Sequence, residues 1–529
     1  MDAWKKLSLR EKIGQTVVTN GNPQAEIKAY GSLEAFLNKF PIGGVFVGGE
    51  IIKDLTLEAG QVREAVKAYK LASPIPMLFA SDMENGCGSM VRGLTPFPYL
   101  MALGATGSEA LAYDYGKATA LEALSIGVNW TFSPVADLNQ NRFNPITNIR
   151  AVSDDPELTR RLLVQVVKGM QANGLSATAK HFPGDGIDYR DQHLVTTANS
   201  LTFDQWIHNH GAVFKSLIDA EVNSIMTGHI TLQHFQEKKI DGRFPPATLS
   251  YELTTTLLKQ KLGFRGVVVS DALIMGGFLG WFERAQAEIE CFKAGTDMLL
   301  WPLPGYMDSM EQAIQSGEIS IDRLNDAVAR IWRMKHERNL FGEDTGFNAL
   351  NEQERIYIQT TAEKVAEQSI TLLRDQHAIL PLKLQGINKV LIVGITAHDP
   401  TFVEMGILQQ ELQTRGIETN LQRNISFSEV ELATDYDWII YALSTRPHQP
   451  MGPVNFSGHE AGAIWASLSA HRYKSIVISF GSPYFYVDYY AAAPIYINAY
   501  NSIPASFVAV IKALFGEISF VGRSPVSMD

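Results

Sequence analysis

Between its N-terminus and about residue 302, the chain repeats one pattern. A short β-branched or apolar run is followed by a longer helix-like stretch. The runs are 14–20 (GQTVVTN), 42–49 (IGGVFVGG), 76–84 (PMLFASDME), 128–137 (VNWTFSPVAD), 175–184 (LSATAKHFPG), 222–230 (VNSIMTGHI), 266–273 (GVVVSDAL) and 296–302 (TDMLLWP). Helical connections such as 154–172 and 203–219 lie between them. Nearly continuous apolar strands separated by helices form parallel sheets covered on both faces. About eight such units in ~300 residues predict a (β/α)8 TIM-like barrel.

The 529 residues exceed one ordinary domain, and a second series follows. Residues 306–340 read as helical, FGEDTGFN interrupts the pattern, and 351–376 reads as another helix. New strands are expected at 389–395, 437–443, 475–480 and 494–499, with helices at 401–415, 459–470 and 505–514. The expected organisation is a barrel over 1–340, a linker and helix over 341–387, and a smaller α/β sandwich domain over 388–529.

Lys and Arg number 45 and Asp and Glu 56, for a formal charge of −11. With no long basic run, nucleic acid and anionic membranes are not expected partners. No apolar run reaches the ~18 residues of a membrane span. The start MDAWKKLSLREKIGQ lacks the apolar core of a signal peptide, so the cytoplasm is the expected location. Cys87 and Cys291 are far apart and outside any C-x-x-C pair, and are expected as reduced core thiols. Neither a clustered metal-ligand pattern nor a phosphate-binding glycine loop is present, so no metal and no cofactor are expected.

Polar residues sit late in the predicted strands: Asp82, Asp137, Lys180, His181, His229 and Asp271. In a barrel, those ends converge on one mouth. After Lys180-His181, the residues Pro183, Gly184 and Gly186 force an irregular loop that carries Asp191 and His193. A carboxylate two residues from an imidazole can fix its tautomer and leave the other ring nitrogen to exchange protons. Asp271 ends an apolar strand abruptly, as a nucleophile would, or as a helix N-cap would. Asp82 could bind vicinal hydroxyls, and Arg150 could donate to substrate oxygens; either could equally be a structural ion pair.

Taken together, these segments resemble family 3 of the glycoside hydrolases, in its β-N-acetylglucosaminidase branch. The resemblance rests on Asp82-Met83-Glu84, the run Pro98 to Ala105, Ser133-Pro134-Val135-Ala136-Asp137, and Arg150 followed by Asp155-Pro156. It continues through Lys180 to Gly186, Asp191-Gln192-His193, Met226 to His229, and Ser270-Asp271-Ala272-Leu273 with Met275. The ending from Gly522 to Val526 is similar to the tail of the family's second domain. The resemblance implies Asp271 as nucleophile, His193 with Asp191 as acid/base, and Asp82, Arg150, Lys180 and His181 as substrate-binding residues; Asp137 and His229, at the same strand ends, are expected to bind substrate with them. It implies a carbohydrate partner, such as an N-acetylhexosaminide, a muropeptide or a chitooligosaccharide, cleaved by double displacement without a cofactor. The chain departs from the branch at Asp185 (usually His), at Gln192 (usually Ser), and at Glu84-Asn85-Gly86-Cys87 (usually Glu-Gly-Gly-Arg). Three other readings share the scaffold: a phosphorylase, a β-glucosidase using a second-domain acid such as Glu460, and a sugar-binding protein without catalysis.

Overall fold

The computed structural model describes residues 2–48, 58–342, 347, 349–445, 447 and 450–528. The FGEDTGFN break lies mostly outside these residues, as does the last position of the strand expected at 42–49.

The N-terminal part is a barrel of eight parallel strands: β1 Val17–Asn20, β2 Gly44–Phe46, β3 Leu78–Ser81, β4 Trp130–Thr131, β5 Thr178–Phe182, β6 Ser224–Thr227, β7 Val267–Ser270 and β8 Leu299–Leu300. Two continuous ladders make up the wall. One runs β8-β1-β2-β3-β4, the other β5-β6-β7. Isolated bridges close the ring: Trp130 to Ser176 and Val135 to Lys180 between β4 and β5, and Val269 to Met298 between β7 and β8.

Period two sorts the strand side chains. Val18, Phe46, Leu78, Ala80, Trp130, Phe132, Met226, Val267, Val269, Met298 and Leu300 form the barrel interior. Their neighbours Val17, Val45, Phe79, Ile225, Val268 and Leu299 pack outward into the helical layer. The helix Pro156–Ala172 shows why such segments form. Asp155 accepts from the amides of Glu157 and Leu158, Pro156 occupies the first turn, and Leu162, Leu163, Val166, Val167 and Met170 are buried at helical spacing.

The remainder is a six-stranded sheet: β9 Thr371–Asp375, β10 Lys389–Ile395, β11 Glu418–Arg423, β12 Trp438–Leu443, β13 Ser475–Ser479 and β14 Ile495–Asn498, in the order β9-β14-β13-β12-β10-β11. Only β9 is antiparallel to its neighbour. Alternating residues feed two cores, Ile392, Ile440, Ile478 and Ile497 on one face and Val393, Tyr441, Val477 and Tyr496 on the other. The helix expected over 351–376 spans Glu352–Ser369 and gives way to β9. That helix straddles the two parts. Ile358, Ala362 and Val365 join the barrel's core, whereas Ala366 joins the second sheet's. Tyr484, Tyr500 and Val526 from the C-terminal part also pack into the barrel's hydrophobic cluster.

Candidate active site

The parity of β7 brings Asp271 to the interior, two residues beyond Val269. Its backbone amide donates to Thr227 O, and its Oδ1 accepts from the Ala272 amide at 2.7 Å. His181 Nε2 stands 3.9 Å from Asp271 Oδ2. Burial works against ionisation of Asp271, but His181, His229 and His193 together hold its carboxyl below the ordinary range.

β3 continues its inward series from Leu78 and Ala80 to Asp82 and then Glu84. In β5 the ladder slips between Ala179 and Phe182, and both Lys180 and His181 reach polar partners at the mouth. Lys180 Nζ lies 2.6 Å from Asp82 Oδ1 and 2.6 Å from Glu84 Oε1. Arg150 grips both Glu84 oxygens, Nε to Oε2 at 2.8 Å and Nη2 to Oε1 at 2.7 Å. Although burial opposes charge on Glu84, Arg150 and Lys180 outweigh it and keep the carboxylate ionised. Of this cluster Asp82 is the most open, its side chain 34% exposed against 12% for Glu84. It is therefore the carboxylate best placed to meet hydroxyl groups. Glu84 is not among the expected substrate-binding residues, yet period two from Leu78 points to it.

Two of the expected residues are engaged by other protein groups. Asp137 is buried. Its Oδ1 accepts the amides of His181 and Asp185, and its Oδ2 meets His181 Nδ1 at 2.7 Å. It orients His181. Burial opposes charge on that imidazole, but Asp137 and Asp271 raise its pKa. His229 is also fully buried, with Nδ1 on Thr248 Oγ1 and Nε2 on Ala272 O. It supports the backbone after Asp271. β6 points Ser224 and Met226 inward, so His229 has the opposite parity. Arg150 is largely occupied by Glu84 and Ile146 O, and it holds the pocket's carboxylate in place.

Asp191 and His193 pair as expected, with Nδ1 2.7 Å from Asp191 Oδ1, which also accepts the His193 amide. This leaves Nε2 as the ring nitrogen turned away from Asp191. The segment carrying them is docked on the turn after Asp271. Gly276 N donates to His193 O, and Gly277 N to Gln192 O. A Cβ on Gly276 would lie 2.3 Å from Leu194 O, so only glycine permits this approach. Gln192 accepts the His229 amide through its side chain. From the C-terminal part, the Met451 amide donates to Asp191 Oδ2 at 3.1 Å. Glu460 sits in the first turn of the helix Gly458–Ser467.

Asp185, one of the departures from the branch pattern, is buried. Its Oδ1 accepts from Asn144 and the Gly186 amide, while Oδ2 has no hydrogen-bond partner among the described residues. Burial and the nearby Asp137 push its pKa up to about 7. Among the described residues, no group of three or more His, Cys, Asp or Glu is arranged to hold a metal ion. No described helix is long and apolar enough to cross a membrane.

The model of the glycosyl hydrolase family 3 N-terminal domain matches residues 8–334. A β-N-acetylglucosaminidase/β-glucosidase of Cellulomonas fimi is 30% identical over 508 residues, covering 91% of this chain and 89% of that protein. Among solved structures, a β-glucoside phosphorylase is 28% identical with a TM-score of 0.87, covering 100% of this chain and 95% of the other. A family 3 β-N-acetylglucosaminidase from Paenibacillus sp. shares the fold, at 24% identity and a TM-score of 0.83, over 99% of each chain. The barrel, its mouth and these relationships define a glycoside hydrolase, an enzyme acting on carbohydrate. Within that class the chain belongs to glycoside hydrolase family 3.

Proposed function

We propose that the enzyme removes terminal β-linked N-acetylhexosamine, with retention, through a covalent glycosyl-Asp271 intermediate. The observation that carries this reading is the docking of the His193–Asp191 pair on the turn that follows an ionised Asp271. Protonated His193 gives its proton to the leaving oxygen as the Asp271 carboxylate attacks the anomeric carbon. Neutral His193 then takes a proton from the incoming water, which releases the sugar from the ester. His181, 3.9 Å from Asp271 and held by Asp137, keeps the carboxylate ionised before attack. The name of the Cellulomonas fimi relative supports N-acetylglucosamine as the sugar.

Trapping with a 2-fluoro sugar should label the peptide carrying Asp271. His193→Ala should cost about 10³-fold in kcat/KM on a nitrophenyl N-acetylglucosaminide, and much less on a dinitrophenyl leaving group that needs no proton. A label on another residue, or equal losses on both substrates, would sink the reading.

Phosphorolysis is the second reading, favoured by the likeness to a β-glucoside phosphorylase along the whole chain. A neutral imidazole repels an incoming phosphate less than a carboxylate would. Phosphate-dependent turnover that yields sugar 1-phosphate would select it.

A further inference from the structure

We propose that Trp301 is a substrate-contacting residue, its indole forming the wall on which the apolar C–H face of the bound sugar rests. In β8 Met298 and Leu300 face the interior and Leu299 faces the helices. By alternation, residue 301 should face outward. It does not. Its backbone is left-handed, with φ of 59°, a region that bulky side chains rarely adopt. The kink turns the ring back over the mouth, where it packs on the interior cluster and meets Phe46 of β2 edge-on, centroids 5.2 Å apart.

A clamp holds the kink. Arg284 Nη2 donates to Trp301 O at 2.6 Å and pairs with buried Glu288, which also accepts the Leu303 amide at 2.8 Å. The cost of a left-handed tryptophan is met by a network whose visible effect is to set this ring. Its Nε1 has no hydrogen-bond partner among the described residues. The ring itself is only partly buried.

Strand order then locates it. Trp301 follows β8, next to β7, and Leu273 N bonds Leu300 O, so the indole stands beside the segment carrying Asp271. Across the barrel, β3 to β5 supply Asp82, Lys180 and Glu84. The mouth thus has an aromatic side over β8 and β2 and a charged side over β3 to β5. A pyranose has the same asymmetry, with hydroxyls at its rim and C–H groups on its face.

The inference rests on the sugar lying against Asp271, and not on retention or on His193. Trp301→Phe, which keeps a ring, and Trp301→Leu, which does not, should be compared by product inhibition, by kcat/KM, by melting temperature and by the change in tryptophan emission on titrating N-acetylglucosamine or glucose. Trp301→Leu should weaken product binding about tenfold or more, and lower the melting temperature modestly because the ring also packs on the interior cluster, whereas Trp301→Phe should weaken binding less than threefold. The emission change should be present in the wild type and lost in Trp301→Phe, a readout that survives if the leucine variant fails to fold. Equal affinity in all three proteins, or an emission change retained in Trp301→Phe, would overturn the proposal. Labelling at Asp271 is scored separately, so failure of the mechanism and failure of the wall are distinguishable.

Discussion

Lys335 is fully buried on the inner face of the helix Ile321–Glu337, and its Nζ donates to Gln15 Oε1 with no carboxylate paired to it among the described residues. Burial alone lowers its pKa to about 7, against about 10.4 for a free lysine. From about pH 7 to pH 10 the unfolded chain therefore binds more protons here than the folded one, and folded stability rises with pH across that window. Below about pH 7 both states are protonated and the full penalty of a buried charge persists. Lys335→Met should thus stabilise the protein by about 2 kcal/mol at neutral pH and flatten the rise of melting temperature towards pH 10. Parallel melting curves for the two proteins over that range would show that Lys335 does not titrate in this way. No sequence pattern announces such a lysine, because its burial depends on where a whole helix packs. Asp271, His193 and Lys180 were legible since each stands at the end of a strand or in the loop after it. The contacts of His229 with Thr248 and Ala272 are not legible in the same way, because a strand end tells position along the barrel axis but not which way the side chain faces. Trp301 was missed for the converse reason: alternation predicts it outward, and only the backbone kink reverses that.

At the level of elements, the loop bearing the His193–Asp191 pair owes its position to two glycines after Asp271. Gly276→Ala would drive a methyl group into the Leu194 carbonyl, and Gly277 is as closely covered by Gln192 O at 2.7 Å. Gly276→Ala should leave the fold intact but cost at least about tenfold in kcat/KM, more on poor leaving groups than on activated ones, since His193 shifts while Asp271 does not. Equal activity on both substrate types would mean that the loop tolerates the push. The barrel strands were readable because inward and outward faces are both apolar, which leaves continuous runs of Val, Ile and Leu. Two strands of the second sheet were not. β11, ETNLQR, lies at the sheet edge with half its residues exposed and carries no apolar run. β9 follows its helix so closely that TLLRD reads as one more turn.

For the whole molecule, the bond from the Met451 amide to Asp191 means that the C-terminal part helps to hold the His193–Asp191 pair. A backbone donor has no sequence signature, so this dependence was invisible before the fold. Met451→Pro removes the N–H. It should reduce turnover of poor leaving groups several-fold with KM nearly unchanged, because one charge-assisted hydrogen bond is lost, and lower the melting temperature modestly, because the Met451 side chain packs against the second sheet's core. An unaltered rate would show that Asp191 needs no such support. The barrel wall has a related property. Its five-strand and three-strand ladders are joined at the β4–β5 and β7–β8 seams by backbone hydrogen bonds, among them Thr131 N to Ser176 O and Thr178 N to Ser133 O at the first and Ser270 N to Met298 O and Leu273 N to Leu300 O at the second. Asp82 and Trp301 belong to the larger ladder, Lys180, His181 and Asp271 to the smaller. Because both seams are bonded along the backbone, the two halves of the mouth are held at a fixed spacing, and a sugar that bridges them must fit a gap the barrel has already set.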